Sequence, residues 1–190
     1  MKRIVIFASG SGTNAENIIT FFQNRNNASV IQVLTNNPHA KVIDRCNRLN
    51  ISCLPFSRKD FYQSSKVLDT LKSNKPDLIV LAGFLWKFPE TILNEFPNKV
   101  VNIHPALLPK YGGKGMYGKH VHQAVLDNKE IETGITIHYV NENYDEGVII
   151  FQFKCNVELT DSIESITAKI HKLEMEHFPK VIKSLLSFDE

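Results

Sequence analysis

The chain has 190 residues, 43% of them hydrophobic and 22% charged, and a formal net charge of +2. That size and balance suit one ordinary globular domain, or at most two small ones sharing a core. The small net charge and the lack of any dense Lys/Arg run give no support to nucleic-acid binding.

Arg3 to Ala8 opens the chain as a short apolar run that reads as a buried strand. The run is shorter than a signal-peptide core, and Ser9-Gly10-Ser11-Gly12 follows at once. A helix is expected from about Asn14 to Asn24, then a strand from Ser29 to Thr35, broken by Asn36-Asn37-Pro38. Next come a helix from about Ala40 to Leu49, a short strand at Ser52 to Pro55, and one helix between Asp60 and Ser73. Asp77 to Ala82 is a strongly apolar strand, and Lys99 to Ile103 is the next.

After that strand the pattern changes. A Gly-rich loop, Tyr111 to Gly118, leads to a helix from about Lys119 to Asp127. Strands near Thr133–Val140 and Val148–Val157 are joined by the polar turn Asn141 to Gly147, so they are expected to pair antiparallel. A closing helix runs from about Ser162 to Leu186, with Thr160 or Asp161 as its cap and Glu164 placed for a capping box. The expected fold is α/β, a Rossmann-like and mostly parallel twisted sheet with helices on both faces and antiparallel strands in the C-terminal half. No stretch of the chain is long and apolar enough to cross a bilayer; the longest after the first strand is Leu78 to Trp86. The three cysteines, Cys46, Cys53 and Cys155, contain no Cys-x-x-Cys pair, which favours a reducing compartment over a disulfide framework or a zinc ribbon. A cytoplasmic protein is expected.

Three segments carry candidate chemistry. Gly10-Ser11-Gly12-Thr13-Asn14 joins the first strand to the first helix, where glycines allow close approach and helix-start N–H groups favour an anion. It also satisfies a loose dinucleotide fingerprint. The acid such a site needs after the second strand is missing, because Thr35-Asn36-Asn37 stands there. A tight turn with no ligand is the plainer alternative. Asn102 and His104 lie two apart on a strand that Pro105 ends, so they share a face at the sheet edge where ligands gather. An amide N–H beside an imidazolium stabilises an oxyanion. A hydrogen-bonded structural histidine explains the same residues equally well. Asp145, in a polar turn, matters only if that turn folds back on His104, where it would raise the histidine's pKa and hold its charged form. His120 and His122 are two apart on a helix and share no face, so a metal there would need further ligands. Phe21, Phe22, Phe84, Phe88 and Phe96 read mainly as core.

Taken together, Ser9–Asn14, Asn36-Asn37, Leu81–Phe84, Asn102–Tyr111 and Asp145-Glu146-Gly147 resemble the phosphoribosylglycinamide formyltransferase family of folate-dependent enzymes, in order from Ile4 to about Leu186. The resemblance implies one formyltransferase domain over 1–190, with a phosphate-binding half to about residue 100 and a folate-binding, catalytic half from about 101. It implies 10-formyltetrahydrofolate as co-substrate, no metal, small-molecule partners only, and a monomer or homodimer. Asn102, His104 and Asp145 would be catalytic. Gly12, Thr13, Asn14, His171 and Glu174 would hold the ribonucleotide, with Glu174 at its glycyl amine. Arg58, Leu85, Trp86, Lys87, Phe88, Asn102, Asn141 and Asp145 would meet the folate. Two departures are visible: Trp86-Lys87 follow Gly83-Phe84-Leu85 where the family often has an arginine, and the Gly112–Gly118 loop is slightly long. The related tRNA formyltransferases and formyl-folate hydrolases are expected to carry an extra domain for which this chain has no room.

Overall fold

In the computed structural model, which describes residues 1–187, the first strand, β1, spans Lys2–Phe7. Its alternation sends Ile4, Ile6 and Ala8 into one core and Val5 and Phe7 into another, and all five are fully buried. A strand buried on both faces must be flanked on both edges. Its neighbours are β2 (Ala28–Thr35) and β4 (Leu78–Leu81), both parallel to it.

β3 (Cys53–Pro55) extends the sheet beyond β2, and β5 (Val100–His104) lies parallel beside β4. β6 (Glu132–Tyr139) and β7 (Ile149–Asn156) then add antiparallel, giving seven strands in the order β3-β2-β1-β4-β5-β6-β7. The expected mostly parallel sheet with an antiparallel C-terminal half is therefore present. The chain winds away from β1 in one direction and resumes on its other side at β4. The crevice between the C-terminal ends of those two strands is the switch point, where α/β sheets hold ligands.

Two cores sandwich the sheet. One takes Ala15 and Ile18 of α1 (Thr13–Gln23), Val42 and Cys46 of α2 (Val42–Arg48), and Ile170 and Phe178 of α7 (Ile163–Ser187). The other takes Phe61 of α3 (Arg58–Tyr62), Leu71 of α4 (Lys66–Asn74) and Ile92 of α5 (Glu90–Glu95). The remaining helix, α6 (Lys119–Asp127), packs on α7.

Three local expectations need correction. The single helix between Asp60 and Ser73 is two, α3 and α4, parted at Gln63–Ser65. Ser57 and Asp60 form a reciprocal capping box on α3, and Ser64 Oγ accepts from the Lys66 N–H at 3.4 Å at the start of α4. Helix α5, which has too few turns for a periodic signal, was not expected at all. The cap of α7 is Ser162, not Thr160 or Asp161. The Ser165 N–H donates to Ser162 Oγ at 3.3 Å and the Ser162 N–H to Ser165 Oγ at 2.8 Å. Asp161 instead accepts from Lys169 Nζ at 2.6 Å and the Glu158 N–H at 2.7 Å, which hold its carboxyl at about 2.

Candidate active site

At the switch point, Ser9 ties β1 to β4. Its N–H donates to the Gly83 carbonyl at 3.1 Å and its Oγ accepts from the Leu85 N–H at 3.0 Å. Beyond it, Gly12 caps α1 with φ +73°, and a Cβ there would lie 2.4 Å from the Val42 side chain. Only glycine fits, on both counts. The loop is braced from α2: the Val42 N–H donates to the Gly10 carbonyl at 3.2 Å and Arg45 Nε to the Ser11 carbonyl at 2.7 Å. Arg45 and Arg48 both pair with Glu16, the acid in the first turn of α1. That acid would otherwise oppose an anion at the helix start.

Around β5 the arrangement is made of side chains. Asn102 and His104 point to the face opposite the buried Val101 and Ile103. The pairing of β5 with β6 sets His138 directly across from Asn102, and Asn102 Nδ2 donates to His138 Nε2 at 3.1 Å. His138 can accept there because its Nδ1–H donates to the Tyr139 carbonyl at 2.8 Å. The turn after β6 does fold back. Asp145 sits in the left-handed region at φ +56°, with Oδ2 3.5 Å from His104 Nδ1 and Oδ1 3.6 Å from His138 Nε2. Its Oδ2 also accepts from the Gly113 N–H at 3.0 Å, and Oδ1 receives a long 3.4 Å contact from Asn102 Nδ2. Gly147 makes the fold-back possible, since a Cβ there would fall 1.7 Å from the Tyr139 carbonyl oxygen.

The charge states differ from expectation in one respect. Burial raises the Asp145 carboxyl, but His138, His104 and the Gly113 N–H together outweigh it and hold Asp145 below the ordinary carboxylate value. For His104 the balance falls the other way. Burial pushes its pKa down by more than Asp145 and the Tyr111 contact raise it, with His138 adding to the fall. His104 is 3% exposed, so the desolvation of a charged ring dominates. The imidazole therefore rests neutral, not held protonated by Asp145. Its Nε2–H donates to the Tyr111 carbonyl at 2.7 Å, which leaves the free lone pair on Nδ1.

A cavity of about 710 Å³ joins the two regions. Its wall includes Gly12, Thr13, Asn14, Leu85, Asn102, His104, Asp145, His171 and Glu174, so these expected residues are brought together. Asn14 Nδ2 donates to Glu174 Oε2 at 2.9 Å, linking α1 to α7. His171 lies 3.8 Å from the same carboxylate, which raises the imidazole's pKa.

Arg58, Trp86, Lys87, Phe88 and Asn141 are not part of that wall. Phe88 is 3% exposed with its ring 5.2 Å from that of Phe7, and so belongs to the core. Trp86 packs edge-on against Phe56 and at a tilt against Phe61 and Tyr62, and the Arg58 guanidinium lies 5.6 Å over its ring. The Lys87 carbonyl accepts from Tyr62 Oη at 2.8 Å, and Asn141 Oδ1 accepts from the Asn143 N–H at 3.0 Å. His138 escaped the sequence reading, and His122 was weighed there only as a metal ligand. The alternation Ile135-x-Ile137 already implied that Thr136 and His138 share the other face. No group of His, Cys, Asp or Glu that could hold a metal occurs among the described residues, nor any helix long and apolar enough to cross a membrane.

The family described as "Formyl transferase" matches residues 2–182. A phosphoribosylglycinamide formyltransferase of Bacillus subtilis is 35% identical, over 100% of this chain and 97% of its own length. The solved structure of phosphoribosylglycinamide formyltransferase from Bacillus halodurans superposes with a TM-score of 0.89 at 35% identity, covering 100% of this chain and 97% of that one. Glycinamide ribonucleotide transformylase 1 from Geobacillus kaustophilus gives 0.88 at 38% identity, over 98% and 99%.

Proposed function

Since the chain belongs to the formyl transferase family, we propose that it moves the formyl group of 10-formyltetrahydrofolate to the amine of N1-(5-phospho-D-ribosyl)glycinamide, a step of purine (IMP) biosynthesis. The products are the N-formyl ribonucleotide and tetrahydrofolate. The observation that carries this reading is one cavity with a glycine-built helix start at one end and the Asn102–His104–Asp145 cluster at the other.

The phosphate sits on the N–H groups of Gly12–Asn14, where the positive end of α1 favours it. Glu174 takes the glycyl amine, with His171 beside it. The folate enters past Leu85 and Tyr144, which line the same cavity. Its tail runs toward Arg58, Trp86, Lys87 and Asn141. The whole chain works as one domain, in the cytoplasm, without a metal.

The substrate ammonium first loses a proton to solvent. The amine then attacks the formyl carbon, a C–N bond forms, and the carbonyl π pair moves onto oxygen. Asn102 meets that oxyanion with the N–H now spent on its long 3.4 Å contact to Asp145. Neutral His104 takes the second amine proton on its free lone pair. Asp145 stabilises the resulting imidazolium, and the oxyanion offsets the cost of charging a buried ring. Collapse breaks the bond between the formyl carbon and N10, and His104 returns its proton to N10. The ring thus serves as base and then as acid.

The test supplies 10-formyltetrahydrofolate and one acceptor at a time. Tetrahydrofolate is expected only with glycinamide ribonucleotide. Release with water alone would instead indicate a hydrolase, and release only with charged initiator tRNA a tRNA formyltransferase.

A further inference from the structure

His122 has no part in that mechanism, yet it occupies the same wall. It lies in the first turn of α6, is 4% exposed, and lines the cavity with Glu174 and His104. Its Nδ1 is sealed from solvent and has no hydrogen-bond partner among the described residues. His122 lines the cavity, and with Nδ1 sealed the ring nitrogen left to meet a ligand there is Nε2.

These two facts fix where the proton sits. A buried N–H without an acceptor is rarer in proteins than an unused lone pair. The neutral ring therefore keeps Nδ1 bare and carries its hydrogen on Nε2. Charging the ring would place a second proton on the sealed Nδ1. Burial also lowers the pKa of this ring. Glu174 on α7 pulls it up and His104 on β5 pushes it down, and burial prevails. His122 is thus an uncharged N–H donor that opens onto the cavity near a carboxylate.

An acceptor for such a donor is an uncharged oxygen. A phosphate oxygen is disfavoured, because the Glu174 carboxylate lines the same cavity as His122 and would repel a second anion. The α1 helix start is also better suited to the phosphate. Glu174 is in turn bound to Asn14, which places this donor on the α1–α7 side of the cavity rather than beside Leu85 and Tyr144.

We propose that His122 donates its Nε2–H to an uncharged oxygen of the ribosyl-glycinamide part of the acceptor substrate, next to Glu174, and is a binding residue for that substrate. This rests on the function proposed above. His122→Leu removes the donor, and His122→Gln restores an N–H at similar reach. Leu is expected to raise the KM for the ribonucleotide about tenfold or more, as for a lost hydrogen bond to a buried partner. Saturated kcat and the folate KM should stay within about twofold, and Gln should recover most of the loss. An unchanged ribonucleotide KM in the Leu variant, or an equal rise in both KM values, overturns the assignment.

Nitrogen-15 spectra of the wild-type imidazoles read the same point without a variant. His122 should show the Nε2–H tautomer near neutral pH, and its signal should move on adding ribonucleotide but not folate. An Nδ1–H tautomer, a charged ring or an unmoved signal in an enzyme that formylates glycinamide ribonucleotide refutes the role of His122 alone. A wild-type enzyme that formylates only some other acceptor refutes the proposed function itself.

Discussion

The two ends of the cavity are built from different materials. At the β1–α1 end the wall is backbone: Gly12 and the first N–H groups of α1, braced by Arg45 on the Ser11 carbonyl. At the β5–β6 end it is side chains, with Asn102, His104, His138 and Asp145 all within 3.6 Å of a neighbour in the group. Backbone N–H groups do not titrate and cannot swing away, which suits an anion that must only be held. Proton transfer needs groups that change charge, and those are side chains. Substitutions at one end should thus change kcat, and at the other KM.

The largest effects should come from the side-chain end. His104→Ala and Asn102→Ala are each expected to lower kcat about 100-fold or more, as loss of an acid–base group or an oxyanion donor does. Near-normal turnover of either purified, folded variant would dissolve the contrast between the two ends. Asp145→Asn should follow. An opposite charge beside an imidazole is worth roughly 1–3 pKa units, so the rate should fall about tenfold or more while folate binding persists. Titrating folate into this variant by fluorescence checks the second half of that statement.

Gly12→Ala addresses the other end. The new Cβ would collide with Val42 at a positive φ, and overpacking of that kind costs about 1–3 kcal/mol. The ribonucleotide KM should rise about fivefold or more with kcat little changed. A fall in kcat at an unchanged KM would show that the loop acts in the chemistry. The smallest effect is on stability in acid. His104 and His122 are both held below the ordinary histidine value by burial. The unfolded chain therefore binds their protons more readily, and stability should decline as pH drops through the usual histidine value of about 6.5 and below. Thermal melts of wild type and His122→Gln between neutral and mildly acid pH measure it. The variant should show the shallower decline.

Much of this contrast was legible beforehand. The apolar runs Ile4–Ala8 and Leu78–Ala82 are long enough to require cover on both faces, which dictates a parallel sheet. Asn102 and His104 were placed on one face by alternation and at the sheet edge by Pro105. What escaped is instructive. The resting charge of His104 depends on how much protein surrounds it, and no local pattern encodes that. The direction of Trp86–Phe88 after β4 was hidden too, because a loop has no period to say which side chains turn inward. Phe88 was already read mainly as core, but only the folded chain reveals that it joins Phe7 and that Trp86 takes the cation of Arg58 on its ring face. His138 was hidden for a different reason: its partner Asn102 is 36 residues away, and register across two strands is invisible in either one.

The hydrogen bond from Asn14 to Glu174 spans 160 residues. It makes the finished cavity depend on two helices that lie far apart in the chain, α1 and α7. A chain emerging from the ribosome exposes its first helix long before the carboxylate that meets it is synthesised. Until α7 docks, the part of the cavity wall that His171 and Glu174 form is missing, so the cavity closes only when both helices are in place.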